Sequence, residues 1–301
     1  MGECCDMTFS IVAVNPETGE VGVAVASKFI AAGSIVPWVQ LGVGAVATQS
    51  WANVKFGPAL LRLLELGYTP RRAVEMVLTG DSRREMRQIG VVSAGGEAYA
   101  FTGRECIEYA GHIVGDGFAV QGNILTGPEV IESMAKAYES TKGELVDKLL
   151  AALAAGDSAG GDRRGRESAA VIVYKPCGGY GGCEEGVGKY VDLRVDHHSD
   201  AVNELLRLFK IWEITILERE DPSDVVRIED VAGELEKALA ALGYYKGPFT
   251  GRASKELLQA LESWMAINNF ENKIRREGYI WGTVYRFLIE EARRVGGGGD
   301  S

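Results

Sequence analysis

Thr8 is the residue of this sequence best placed for nucleophilic chemistry. It begins an apolar run, residues 8–14, that has the composition of a buried β-strand and lies close to the start of the chain. If the residues before it were removed, its α-amino group, with a reference pKa of about 8, would accept the proton of its own hydroxyl. One residue would then supply both nucleophile and base for attack on an amide carbonyl. The alternative is an ordinary first strand, since threonine is a good strand former.

Ser27 and Lys28 end a second apolar run, which begins at Val21 after a turn over residues 15–20. An antiparallel hairpin places the end of its second strand beside the start of its first, so both residues are expected next to Thr8. A lysine there would lower the pKa values of the hydroxyl and the amine and would assist proton transfer. The alternative is a solvated lysine at the end of a strand.

Four amide side chains lie near the ends of other predicted strands, and amide N–H groups can stabilise the oxyanion of an acyl-transfer reaction. Gln49 and Asn53 follow the third strand, while Gln121 and Asn123 flank a glycine that permits close backbone approach. We expect these residues to hold an oxyanion or to orient an acyl substrate. For Gln49 and Asn53 the alternative is the capping of a turn or a helix.

The loop 160–168 is denser in charge than any other loop of the sequence. Its arginines could hold a substrate carboxylate through bidentate hydrogen bonds. We expect Asp162, with Arg163 or Arg164, to bind the polar end of a substrate, and Arg166 to have a structural role. A structural network of the whole loop is the alternative.

The odd number of cysteines disfavours a full disulfide framework; they are Cys4, Cys5, Cys106, Cys177 and Cys183. Cys177 and Cys183 flank a glycine-rich loop and could form a bridge across it in a hyperthermophilic protein. They lack the second cysteine pair or the histidine of a zinc site, so no metal is expected. Cys4 and Cys5 belong to a disordered leader, or one of them is an alternative nucleophile exposed by cleavage.

Composition excludes several classes of partner. The 301 residues are 46% hydrophobic and 25% charged, as in a soluble globular protein with a sizeable core. Lys and Arg number 32 against 42 Asp and Glu, which argues against binding to nucleic acid or to an anionic membrane. No stretch reaches the ~18 uninterrupted apolar residues of a membrane span. The first residues lack the basic and apolar regions of a signal peptide, so a cytoplasmic location is expected.

The order of predicted elements favours an α+β fold. Strands are predicted at residues 8–14, 21–28, 41–50, 87–93, 98–102, 118–125, 168–174 and 191–195, and helices at 58–66, 69–78, 128–138, 145–155 and 200–218. Helices arrive in pairs rather than alternating singly with strands, which favours a four-layer αββα sandwich over a doubly wound parallel sheet. Gly42 and Gly44 imitate a dinucleotide-binding motif, but they lie within an apolar strand and open no helix.

The composition and the hydrophobic pattern of the sequence change after residue 218. Residues 219–229 are polar, contain a proline and are predicted to be a linker. Residues 230–295 carry three amphipathic helical patterns, as expected of a small α-helical domain. The glycine-rich residues 296–301 are predicted to be a flexible tail.

Two resemblances to known families extend over most of the chain. The first is carried by the segments Thr8–Ala13, Pro16–Ser27, Gly44–Gln49, Gln121–Asn123, Gly161–Gly165 and Asp192–Asp196. Together these segments resemble the DUF1028 family, whose members have an N-terminal-nucleophile hydrolase-like domain of uncharacterised function. The resemblance covers roughly residues 8–215 and implies the αββα fold, but no settled substrate.

The second resemblance lies in the C-terminal region, over roughly residues 230–293. The leucines that end at Leu242, the glycines Gly243, Gly247 and Gly251, and the Leu257-Leu258 helix resemble a peptidoglycan-binding-like module. Its aromatic residues could build a ligand groove or the core of a small helical bundle.

We therefore expect an amidohydrolase that cleaves a small amide or peptide bond, with Thr8 as nucleophile after removal of a leader, residues 1–7. Such chemistry needs neither a metal nor an organic cofactor. Many members of the family resemble a chain that starts at Met7 of this sequence, so three routes stay open. Translation begins at Met7, the leader is cleaved by another enzyme or autocatalytically, or Thr8 remains internal without its amine.

A second function class is a non-catalytic binding or assembly protein that reuses the fold, and a retained leader would favour it. A homo-oligomer is a further expectation, because flat αββα sandwiches offer broad faces for association.

Overall fold

The structure, a computed structural model, describes residues 8–275 and 278–297. The chain forms two compact units, of which the first ends at Phe209 and the second begins at Lys210. The predicted leader, with Cys4 and Cys5, lies outside the described residues, as do the last residues of the predicted tail.

The first unit mixes strands and helices, which confirms the predicted α+β class. Its strands are β1 (Thr8–Asn15), β2 (Glu20–Ser27), β3 (Pro37–Gln40), β4 (Gly44–Ser50), β5 (Arg87–Ser93), β6 (Ala98–Thr102), β7 (Gly111–Gly115), β8 (Phe118–Asn123), β9 (Ser168–Tyr174) and β10 (Lys189–Val195). Its helices are α1 (Phe56–Glu65), α2 (Pro70–Leu78), α3 (Glu129–Ser140) and α4 (Leu145–Ser158), and α5 (Ala201–Thr215) begins in it.

These strands form two antiparallel sheets. The six-stranded sheet has the order β10-β9-β2-β1-β8-β7, and the four-stranded sheet has the order β3-β4-β5-β6. Helices α3 and α4 contact the six-stranded sheet, whereas α1 and α2 contact the four-stranded sheet. Strands β1 and β2 contact β4 of the other sheet, so each central strand has neighbours on both faces.

Coverage on both faces explains why β1 and β2 are apolar without alternation. Val12 and Val14 belong to the apolar cluster shared by the two sheets. Phe9 points to the opposite face, where it approaches Gly156 of α4. The hairpin predicted from the continuous apolar runs is thus confirmed, with seven residue pairs in register from Phe9–Ala26 to Asn15–Glu20.

The two strands of the first unit that sequence analysis missed, β3 and β7, are edge strands of their sheets. Strand β3 begins at Pro37. Proline has no N–H to donate to a neighbouring strand, and an edge strand tolerates it because one side of the strand is unpaired. The segment predicted as one strand over residues 41–50 therefore divides into a turn and β4. Gly42 adopts a positive φ of 74° in that turn.

The glycine-rich loop between β9 and β10 is closed by a disulfide bond between Cys177 and Cys183. The sequence analysis predicts this bridge only for a hyperthermophilic protein. Cys106 is a buried free thiol, and burial raises its pKa.

The second unit contains β11 (Val225–Arg227), α6 (Ile228–Ala241), α7 (Lys255–Ile267), β12 (Tyr279–Trp281) and α8 (Gly282–Gly297). Strand β11 pairs with β12 and lies within the segment predicted as a linker. Trp264 and Phe270 stack at the centre of the unit, so these aromatic side chains serve the core. Phe249 is exposed. None of the helices described in either unit is long and apolar enough to cross a membrane.

Gly90 of β5 has no room for a side chain, because a Cβ atom there would lie 2.1 Å from Gln121 Oε1. We expect Gly90→Ala to lower the free energy of unfolding by about 1–3 kcal/mol through overpacking. Urea denaturation followed by circular dichroism measures this. Gly95→Ala is the matched control, since the nearest atom would be Ser93 Oγ at 3.9 Å, and it should change stability by less than about 0.5 kcal/mol. Equal effects of the two substitutions would contradict the assignment.

Candidate functional site

Thr8 opens β1 with its side chain almost fully buried, at 1% exposure. Its Oγ1 donates a hydrogen bond to Ser27 Oγ, 3.3 Å away, at the end of β2. Ser27 Oγ also accepts a hydrogen bond from the backbone N–H of Phe29 at 2.9 Å. The hairpin thus brings the two predicted hydroxyl residues into contact.

A row of buried polar residues crosses the six-stranded sheet at this level. Thr8 faces Asn123 of β8 in the register, and Ser27 faces Ser168 of β9. The hydrogen bond between Thr8 and Ser27 joins these two pairs. All four side chains are buried. Four neighbouring strands therefore present polar side chains at one end of the sheet.

Two predicted amides bind the backbone of Thr8. Gln49 Nε2 donates to the Thr8 carbonyl oxygen at 3.2 Å, and Asn123 Nδ2 approaches the same oxygen at 3.5 Å. Both nitrogens also donate to Gln88 Oε1, each at 2.9 Å. The hydrogens of the Gln49 and Asn123 amides are therefore directed at the Thr8 carbonyl and at Gln88. The two amides position Thr8.

Gln88 joins the two sheets at this site and was missed by the sequence analysis. Its Nε2 donates to the carbonyl of Gly122 at 2.7 Å, to Thr102 Oγ1 at 3.0 Å and to the carbonyl of Gly111 at 3.1 Å. The available signal in the sequence was a glutamine within a largely apolar strand. The structure shows that this side chain is fully buried. Sequence alone does not reveal which strand such a side chain faces.

Gln121 extends the network by one further layer. Its Nε2 donates to Ser10 Oγ at 2.6 Å, and Ser10 Oγ donates to Gln49 Oε1 at 2.5 Å. Gln121 Oε1 and Asn123 Oδ1 are buried, and neither accepts a hydrogen bond from the residues that the structure describes.

Lys28 is held away from the Thr8 hydroxyl. Its backbone N–H donates to Asp162 Oδ2 at 2.7 Å, while its ammonium donates to Glu167 Oε2 at 2.5 Å and to the carbonyl of Arg166 at 3.2 Å. Within the described residues no hydrogen bond joins the Lys28 ammonium to Thr8. The Lys28 ammonium, and after it His197, lowers the pKa of the Glu167 carboxyl.

The charged loop divides into different roles. Asp162 is buried and accepts hydrogen bonds from the backbone of Lys28 and, at 2.9 Å, from the backbone of Arg164. The Arg164 guanidinium lies 3.4 Å from Asp162. Arg163 is exposed, and its backbone N–H donates to the Ile124 carbonyl. Asp162 therefore fixes the loop to the end of β2.

Asn53 lies apart from these residues. Its Oδ1 accepts a hydrogen bond from the Lys55 backbone at 3.2 Å, just before α1 begins at Phe56. This contact closes a turn before α1, which is one of the alternatives that the sequence analysis held open, and the N-cap of the helix itself is Lys55. No group of three or more His, Cys, Asp or Glu side chains in residues 8–275 and 278–297 is arranged to hold a metal ion.

A cavity of about 420 Å³ borders the site on the side of the sheet that faces the helices. Ser27 and Asp162 contribute to its wall, together with the Asp157–Arg166 ion pair. Thr8 is not among the lining residues, since its side chain points toward the other sheet. Asp157 was not singled out in the sequence, because it follows the helix predicted over residues 145–155 and belongs to no motif, whereas in the structure it lies in the last turn of α4.

Comparison with known proteins gives two family matches. Residues 8–205 match DUF1028, described as a "Family of unknown function", and residues 215–288 match a "Putative peptidoglycan binding domain". The crystal structure of protein SPO2555 from Silicibacter pomeroyi, a DUF1028 protein, is 32% identical to this chain. The similarity covers 69% of this chain and 86% of that one, with a TM-score of 0.62. No curated protein matches the chain.

Glu167 gives the site a defined response to acid. Because its folded-state pKa is lowered, its ionised form contributes stability above the reference pKa of about 4.3, and that contribution is lost as pH falls through the folded value. We expect Glu167→Gln to destabilise the protein at pH 7 and to destabilise it less at pH 3, below the reference pKa of the carboxyl. Urea denaturation at both pH values checks this. Glu132→Gln, at an exposed position of α3, is the control. The same pH dependence in both variants would contradict the assignment.

Proposed function

The chain belongs to the DUF1028 family, and on this premise we propose that its first unit is an N-terminal-nucleophile amidohydrolase with a four-layer αββα sandwich. The separate contacts of the two helix pairs with the two sheets support the layer order. The substrate is a small molecule or peptide with an amide bond. A cytoplasmic location and a homo-oligomer belong to the same proposal.

The observation that carries the proposal is the placement of Thr8. Thr8 occupies the first position of a central strand, and its hydroxyl is hydrogen-bonded to Ser27. Two amide side chains donate to its main-chain carbonyl. Ser27 contacts the hydroxyl itself, whereas the two amides hold the main-chain carbonyl and so fix the position of the residue. Buried polar groups cost free energy unless they are paired, so hydrogen bonds to these neighbours offset the cost of burying the hydroxyl at the start of a central strand.

In the proposed reaction the α-amino group of a matured Thr8 takes the proton from Oγ1, through a water. Oγ1 then forms a bond to the substrate carbonyl carbon, the C–N bond breaks, and the amine leaves with that proton. Water attacks the resulting ester, the bond to Oγ1 breaks, and Oγ1 regains a proton as the carboxylic acid departs. None of these steps requires a metal or an organic cofactor.

Other residues have supporting roles. The 3.5 Å contact from Asn123 Nδ2 to the Thr8 carbonyl is at the limit of a hydrogen bond. This N–H can therefore donate to a substrate oxyanion instead, at little cost. Gln49 makes the shorter contact, and we assign it to positioning. Ser27 orients the hydroxyl. Lys28 acts through its backbone, which Asp162 holds.

Maturation at Thr8 is the first test. We expect the purified, untagged protein to show an N-terminus at Thr8, measured by intact mass and N-terminal sequencing. Only that product has the free amine that the reaction uses as its base. A protein that turns over amides with Thr8 still internal would refute the proposed base.

Replacement of the hydroxyl tests the nucleophile. Against a panel of small amides and dipeptides, Thr8→Ala should lose at least about 10³-fold in kcat/KM, because no other group can form the ester. Thr8→Ser should keep measurable turnover. Thr79→Ala, at an exposed position after α2, is the control and should retain wild-type activity. Full turnover by Thr8→Ala would exclude the mechanism.

A non-catalytic binding or assembly protein is the second candidate. The observation that favours it is the use of the Gln49 and Asn123 hydrogens by the Thr8 carbonyl and by Gln88. Preorganised oxyanion donors would point at the position of a substrate oxygen instead. An N-terminus that is not Thr8, together with inactivity on the amide panel, would favour this candidate.

For the second unit we propose binding to a peptidoglycan-like polysaccharide. The match of residues 215–288 supports this, as does a cavity of about 300 Å³ lined by Glu262, Arg275 and Tyr279 among apolar side chains. Apolar pockets with a few polar groups and an aromatic ring are typical of small-ligand sites.

The full chain should co-sediment with insoluble peptidoglycan, and Tyr279→Ala should reduce the bound fraction several-fold because an aromatic wall of the cavity is lost. Phe249→Ala is the matched control, since this exposed aromatic residue does not line the cavity. Absence of co-sedimentation by the wild-type chain would remove the proposal.

A further inference from the structure

The Asp157–Arg166 ion pair lies in the wall of the 420 Å³ cavity of the first unit. Asp157 belongs to the last turn of α4, and Arg166 belongs to the loop before β9. Phe9 and Ala26, which point toward the helices, form the floor beside them. This cavity is therefore on the opposite face of the sheet from the Thr8 hydroxyl.

One hydrogen bond joins the ion pair, and it uses one of the five guanidinium N–H donors and one of the two carboxylate oxygens. Arg166 Nε donates to Asp157 Oδ1 at 2.7 Å. Among the described residues, no further hydrogen bond is made by Asp157 Oδ2 or by the two terminal nitrogens of Arg166. None of these atoms is sealed from solvent, although the Asp157 side chain is only 9% exposed. One carboxylate oxygen and one guanidinium edge are thus presented side by side to the cavity.

The neighbouring charges are already engaged. Asp162 accepts hydrogen bonds from the backbone of Lys28 and from Arg164, so it has less capacity left for a ligand. Asp200, at the start of α5, accepts from Asn203. The ion pair to Asp157 and the nearby Asp200 raise the pKa of Arg166, so the guanidinium stays charged. The charge pattern open to a ligand is one acceptor beside one fork of donors.

We propose that this cavity binds the α-amino acid group of a small molecule, with the ligand carboxylate on the Arg166 guanidinium edge and its α-ammonium on Asp157 Oδ2. The guanidinium fork matches a carboxylate, and the second carboxylate oxygen of Asp157 matches an ammonium. The two ligand charges are separated by only one carbon, as the adjacent protein groups require. The cavity volume is in the range of small-molecule sites.

The same pattern disfavours ligands with one charge. A simple carboxylate would meet the buried Asp157 charge, and a simple amine would meet Arg166 without pairing it. Like-charge contacts of this kind select against the wrong ligand as effectively as good contacts select for the right one. The inference does not depend on catalysis by Thr8, because it concerns binding in a cavity that Thr8 does not line.

Titration calorimetry of the full chain with the standard L-amino acids, one at a time, tests the proposal. At least one amino acid should bind saturably. Its Nα-acetyl and its α-methyl ester derivatives should each bind at least about tenfold more weakly, because each removes one charge-assisted hydrogen-bonding group. No binding by any amino acid, or equal binding of the blocked derivatives, would overturn the proposal.

Variants locate the site. Arg166→Gln and Asp157→Asn should each weaken binding of that amino acid by about tenfold or more, since each removes one charged hydrogen-bonding partner. If Arg166→Gln fails to fold, Arg166→Lys keeps the charge and loses the fork, and should also weaken binding. Arg207→Gln is the matched control, because it breaks an exposed ion pair with Glu204 on α5. Equal loss in Arg207→Gln and Arg166→Gln would refute the assignment.

Discussion

The bonding of Gln88 is the constraint on which the candidate site depends. Gln88 is fully buried where the two sheets pack face to face, and its side-chain amide takes its hydrogen bonds from the protein. Gln88 Oε1 accepts two hydrogen bonds and its Nε2 donates toward three oxygens. An unpaired buried amide group costs about 1–3 kcal/mol, so this one residue strongly restricts how the two sheets can be placed against each other.

The network also determines the character of the Thr8 environment. The groups around Thr8 are hydroxyls and amides, and the nearby charges belong to Lys28, Glu167 and the loop that contains Asp162. A neutral surrounding can orient a hydroxyl, but it removes a proton only weakly. If Thr8 is a nucleophile, its own amine is therefore a more suitable base than Lys28, whose ammonium is paired with Glu167.

The sequence predicted the parts of the structure that repeat with a regular period. The apolar hairpin, the paired helices and the polar strand ends at Ser27 and Asn123 follow from patterns of neighbouring residues. The direction of the Lys28 ammonium does not follow from such patterns, because its partner Glu167 lies in a loop more than 130 positions away in the chain. Gln88 was missed for a similar reason, since its partners come from distant segments. Asp157 lies only nine positions from Arg166, and it was missed because it belongs to no motif. Strands β3 and β7 were missed because edge strands are short and less apolar.

The end of β2 connects the two polar regions of the first unit. Strand β2 ends at Ser27, which serves the network between the sheets, and the next residue, Lys28, serves the charged loop. Ser27 is held by Thr8 and by the Phe29 backbone, and the Lys28 backbone is held by Asp162. A strand end fixed from both sides has little freedom to move. The position of the Thr8 hydroxyl therefore depends on the charged loop as well as on the amides, although no charged group of that loop hydrogen-bonds to it among the described residues.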